Sequence, residues 1–128
     1  MRQVIVNMKD YIFADAVAQA LRSDSASDFA VENIGRPGDI VQYCSILSPY
    51  ALLMEVTRYE PFTLDERLMI GDAVKRSAPE CKVVLLVDEN SEKELAKRVR
   101  AAKKDGFIDQ FIYGSTSPAY LVALMDTL

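Results

Sequence analysis

Carboxylates stand where three apolar runs of this chain end. "YALLMEV" (Tyr50 to Val56) is apolar until Glu55, "QVIVNMKD" runs to Asp10, and "KVVLLVDE" runs to Asp88 and Glu89. An apolar run that delivers one acid to its own end is a way for a buried strand to place a reactive group. Together, Asp10, Glu55, Asp88 and Glu89 could gather the oxygens that a hard divalent cation prefers. Lys9 and Arg58 stand beside them as competitors. The plainer reading of Glu55 is therefore a structural acid at a strand end, hydrogen-bonded locally or paired with Lys9 or Arg58.

Other chemistry is excluded by what the 128 residues lack. There is no histidine, which removes Ser-His-Asp and Cys-His nucleophile activation and His-ligated metals. Cys44 and Cys81 are isolated thiols without CxxC spacing, and both read as small buried hydrophobes. The net charge of −4 gives no electrostatic case for nucleic acid over the whole surface. No stretch is long and apolar enough to span a bilayer, and "MRQVIVNMKD" lacks the features of a signal peptide. A cytoplasmic protein of one domain, residues 1–128, with no metal ligand, no cofactor and no membrane contact, is the expectation.

The elements that would position the acids alternate along the chain. Strand-length runs lie at Gln3–Val6, Phe29–Val31, Ala51–Val56, Lys82–Val87 and Phe107–Tyr113. Between them, apolar residues recur at helical spacing: Phe13, Val17, Ala20 and Leu21; Leu68, Met69, Ala73 and Val74; Leu95, Val99 and Ala102. A helix is also expected near residues 39–47, after the turn "RPGD". "TLDE" (Thr63 to Glu66) and "SEKE" (Ser91 to Glu94) match the capping box, and Ser117-Pro118 reads as cap and first helical position. The spacing predicts an α/β fold: a doubly wound, five-stranded parallel sheet in a three-layer (βα)5 sandwich. In such a sheet the functional crevice lies outside the carboxyl ends of the strands. Asn7, Met8, Lys9 and Asp10, then Glu55 and Arg58, then Asp88 and Glu89, then Tyr113 to Ser115 belong to it.

This layout resembles the receiver domain of bacterial response regulators, a flavodoxin-like fold, over the whole chain. "IVQYCSILSPYALLMEV" is similar to the family's second helix, turn and third strand, and "KVVLLVDENSEKELAKRVRAAKKDGFIDQFIY" to its fourth strand through its fifth. The resemblance implies Mg²⁺-dependent transfer of a phosphoryl group to an aspartate ending the third strand. It also implies an acidic metal-binding pair after the first strand, a Thr or Ser ending the fourth and a Lys ending the fifth. Here those positions fall on Glu55, on Asn7 and Met8, on Val87, and on Tyr113 or Gly114. Phe111 could occupy the place of the family's switch aromatic. Every catalytic position is changed, so the resemblance carries over fold and signalling context without catalytic residues. Glu55 could also act as a fixed negative charge in place of a phosphorylated aspartate.

"EKELAKRVRAAKKD" makes a local basic surface on an acidic protein, and basic patches steer acidic partners as well as nucleic acid. In receivers the fourth helix, fifth strand and fifth helix form the docking face, so Lys97, Arg98, Lys104 and Phe111 are the candidate contacts. A charge-rich helix can equally be a solvated face held by pairs such as Glu94 with Arg98. Phe107, Phe111, Tyr113 and Tyr120 read as core aromatics. "SPAYLVALMDTL" reads as a fifth helix with no recognition module after it. The expected function is a stand-alone, non-enzymatic pseudo-receiver that binds protein partners or a second copy of itself. The alternatives are a phosphoreceiver using Asp10 or Asp88, and a flavodoxin-like domain for a small ligand. "NMKDYIF" offers no phosphate loop for the latter.

Overall fold

A computed structural model describes residues 1–23 and 27–128 of the chain. Its strands are β1 (Arg2–Asn7), β2 (Phe29–Asn33), β3 (Ala51–Glu55), β4 (Lys82–Val87) and β5 (Gln110–Tyr113). The helices are α1 (Tyr11–Ser23), α2 (Ile40–Leu47), α3 (Leu64–Ser77), α4 (Lys93–Lys104) and α5 (Pro118–Asp126), with a short 3-10 turn at Pro37–Asp39. All strand pairs are parallel and the order is β2-β1-β3-β4-β5, the doubly wound arrangement expected from the alternating runs.

Alternation along the strands divides the core in two. Ile5, Leu52, Met54, Val83, Leu85 and Val87 point to the face covered by α2, α3 and α4. Val4, Val6, Leu53, Val84, Leu86 and Ile112 point to the face covered by α1 and α5. Strands buried on both faces are apolar at nearly every position, which is why their runs were continuous rather than alternating. Cys44 and Cys81 are buried in the first cluster, as read, and the Cys81 thiol lies 3.8 Å from the Lys82 carbonyl.

Several local expectations are corrected. Thr63 caps α3, accepting from the Glu66 N–H and donating to its carboxylate at 2.8 Å, and Ser117 caps α5. Ser91 does not cap α4, because its hydroxyl donates to the stronger acceptor Asp88 Oδ2 at 2.9 Å. The run 107–113 is strand only from Gln110: Gly106, at φ +84°, ends the helical turn and leaves Phe107 64% exposed. Tyr120 is exposed too, so of the four aromatics only Phe111 and Tyr113 pack against the core. Met69 is exposed, while the buried line of α3 is Leu64, Arg67, Gly71 and Val74. Gly71 faces Val83, where a Cβ would come to 3.4 Å, an ordinary van der Waals contact.

Candidate functional site

The carboxyl ends of β1, β3 and β4 surround a cleft of about 440 Å³ lined by Lys9, Asp10, Glu55, Thr57, Asp88 and Glu92 among others. A second opening of about 390 Å³ continues from Asp10, Glu55 and Asp88 toward Gly114 and Ser115. Three of the predicted acids thus meet at one place.

Each acid there is already engaged by the protein. Glu55 Oε1 accepts from the Lys9 N–H at 2.8 Å and the Asp10 N–H at 3.4 Å. Asp10 Oδ1 accepts from the N–H groups of Ile12 and Phe13 and so opens α1. Asp88 accepts from the Ser91 hydroxyl and from the N–H groups of Asn90 and Ser91, which hold its carboxyl below the usual range against the opposing effect of burial. Glu89 accepts from the Ser115 hydroxyl. Among the described residues, no three Asp, Glu or Cys side chains gather closely enough to hold a metal ion. The pairings expected for Glu55 are also corrected. Lys9 Nζ lies 4.5 Å from the Tyr59 ring centre, and Arg58 pairs with Glu92 at 3.3 Å.

Beneath the cleft lies a residue the sequence reading passed over. Arg67 is fully buried; its Nε donates to the Glu55 carbonyl at 2.8 Å and an Nη to the Asn7 carbonyl at 3.3 Å. Its guanidinium carbon sits 4.9 Å from the Phe62 ring centre. Burial pulls its pKa down to about 10, against the opposing pull of Glu55 and Glu66. The signal was available: buried positions 64, 67, 71 and 74 keep helical spacing, but the line runs through an Arg and a Gly.

On the other flank, α4 carries Lys93, Lys97, Arg98, Arg100, Lys103 and Lys104 against one acid, Glu94. Leu95, Ala96, Val99 and Ala102 turn inward and fix which cations face where. Lys97 pairs with Glu94 at 3.2 Å, and Arg98 turns toward α3, 3.5 Å from Asp65, so the expected Glu94–Arg98 pair is not made. Arg100 instead donates to the Tyr113 hydroxyl at 2.8 Å, and Lys103 stands 6.0 Å from the Phe111 ring centre. Phe111 and Tyr113 meet edge to face at 5.4 Å.

Solved structures share this architecture across nearly the whole chain. A response regulator receiver domain protein (CheY-like) from Methanospirillum hungatei matches with a TM-score of 0.76 at 12% identity, over 99% of this chain and 92% of that one. A LuxR family DNA-binding response regulator from Silicibacter pomeroyi matches at 0.71 and 20% identity, over 98% and 89%. A Burkholderia thailandensis protein described as a pilus assembly protein (CpaE) matches at 0.69 and 18%, over 99% and 97%. The chain has the receiver fold. No family model matches it, and no curated protein matches its sequence. No helix among the described residues is long and apolar enough to cross a membrane.

Set on the receiver fold, four of the candidate pocket positions do not line the cleft. Asn7 is buried with its amide donating to the Ile34 carbonyl, and Met8 is buried against α1; Lys9 and Asp10 take the cleft side. Val87 points into the core with Leu85, Phe111 and Tyr113, so the side chain that β4 turns toward Glu55 is Asp88. Tyr113 likewise points to the α4 side, and Gly114 faces the opening. The corrections on β4 and β5 are each a shift by one residue, because adjacent residues on a strand point to opposite faces, whereas on β1 the cleft side passes two residues on, to Lys9 and Asp10.

Proposed function

We propose that this receiver-fold chain is a non-enzymatic binding module of two-component-type signalling, which takes its protein partners without phosphorylation at the Glu55 position. The observation that carries this reading is the Glu55 carboxylate, whose Oε1 is held by the Lys9 and Asp10 N–H groups. A carboxylate held this way supplies standing negative charge rather than an open acceptor for transfer. The acids beside it are likewise held by local donors, which leaves them poorly placed to coordinate Mg²⁺.

The face formed by α4 and β5 is the proposed partner surface. Lys97, Lys104 and Phe111 remain on it as proposed contacts. Arg100 and Lys103 join them, because they border the β5 aromatics, and Arg98 belongs at its margin beside Asp65. Its excess of positive charge favours an acidic partner by steering and complementarity. The test is capture of partners by the chain with Arg100, Lys103 and Lys104 changed to Glu. Capture is lost if the face is right. Unchanged capture by that variant, alongside loss by Arg98→Glu, would place the interface elsewhere.

A further inference from the structure

The seam between β1 and β3 is where the sheet changes winding direction, and its ladder stops at the pair Asn7–Met54. Doubly wound sheets open their ligand crevice at that seam. Beyond the last ladder pair, two side chains take over the bonding, one from each face of the sheet. On the α3 face, Arg67 spans the Asn7 and Glu55 carbonyls. On the α1 face, the Glu55 carboxylate spans to the Lys9 and Asp10 N–H groups. The cation gathers the acceptors left by the two strand ends, and the anion gathers the donors.

We infer that Arg67 and Glu55 are the two halves of a latch that ties the carboxyl ends of β1 and β3 together at the base of the cleft, with Arg67 acting as a positioning residue for Glu55. Glu55 is the shared member: Arg67 fixes its main chain, and that fixed main chain aims its carboxylate. Arg67 is wholly buried, and its remaining Nη1 has no partner in the protein, so the site holds a charge that packing alone would not select. An apolar side chain of the same volume would fill the space but leave two strand-end carbonyls without donors. A lysine would keep the charge, yet one ammonium lacks the planar fork that reaches both carbonyls. This inference goes beyond the binding reading and does not depend on which partner α4 meets.

Residue 67 bonds to neither the Lys9 nor the Asp10 amide, and the test uses that separation. Amide exchange is measured by NMR on the full chain carrying Arg67→Lys, Arg67→Ala or Glu55→Gln. A latch predicts that Arg67→Lys and Arg67→Ala speed exchange at Lys9 and Asp10 about tenfold more than at core amides of β4. It also predicts that Glu55→Gln speeds exchange of the Arg67 Nε–H. In Arg67→Ala, millimolar methylguanidinium should restore the Lys9 and Asp10 protection, and urea, of similar shape without charge, should not. If Arg67→Ala fails to fold, Arg67→Lys decides. Unchanged protection at Lys9 and Asp10 in a folded Arg67 variant, or equal rescue by urea, overturns the latch.

Discussion

Two arginines close the two ends of the sheet by opposite means. At the amino end, Arg2 bonds the carboxylates of Asp28 and Asp126, which link the entry to β2 and the end of α5. It also lies 4.5 Å and 4.8 Å from the Phe29 and Tyr50 ring centres, while the Tyr50 hydroxyl donates to the Met125 carbonyl. Asp126 and then Asp28 raise its pKa, and the cluster keeps contact with water. At the carboxyl end, Arg67 is buried, bonds only carbonyls, and has its pKa pulled down. Among the described residues, the buried side-chain atoms without a partner are Asn7 Oδ1, Asn33 Oδ1, Arg67 Nη1 and Glu89 Oε1, all at or below carboxyl ends of strands. One end is satisfied and stabilising. The other retains polar groups that packing alone would not select, as functional ends of folds do.

The largest effect should come from breaking the buried end. Arg67→Ala leaves two strand-end carbonyls without their charged donor and should cost about 3 kcal/mol in urea unfolding. Arg2→Ala should cost less, roughly 1–2 kcal/mol, chiefly through lost stacking on Phe29 and Tyr50, since partly solvated ion pairs contribute little. Equal losses would erase the contrast between the ends. Glu55→Gln keeps one acceptor for the Lys9 N–H and should cost about 1 kcal/mol, with amide shifts confined to the mouth of the cleft.

The smallest effect is acid sensitivity. Burial works against the Asp109 carboxylate, but Lys75 at 2.6 Å and the Val83 N–H outweigh it and hold its pKa below the ordinary 3.8. Asp28, held chiefly by Arg2, and Asp88, held chiefly by Ser91, are lowered too. A carboxylate lowered by folding contributes stability that is complete above its unfolded value. That contribution is lost as pH falls through the folded one. Melting temperature should therefore hold steady down to about pH 4 and fall below it, and Asp109→Asn should shallow that fall. A chain whose melting temperature is flat from pH 5 to pH 2 would contradict these carboxylate pairings.

The sequence carried the layout well. Alternating apolar runs and helical stripes located five strands and the helices between them, and the run "YALLME" placed Glu55 at a strand end. It carried facing poorly at those ends. In strands buried on both sides, every residue is apolar, so nothing in "KVVLLVDE" distinguishes Val87 from Asp88 as the one turned to the cleft. Arg67 escaped because a search for apolar spacing skips a charge, and its carbonyl partners lie far away in sequence. On α4 the cations are too many for charge to choose among. The inward residues Leu95, Val99 and Ala102 decide, and they aim Arg100 and Lys103 at β5.

The function proposed above is constitutive binding by a chain whose cleft does not carry phosphoryl chemistry. It is tested most directly by following backbone amide signals through a titration with Mg²⁺ and then beryllofluoride, a mimic of the phosphoryl group. The account predicts that the signals of Asp10, Glu55, Asp88 and Gly114 stay where they are. Saturable shifts clustered at those residues would show a crevice that still binds metal and phosphoryl, and would contradict it.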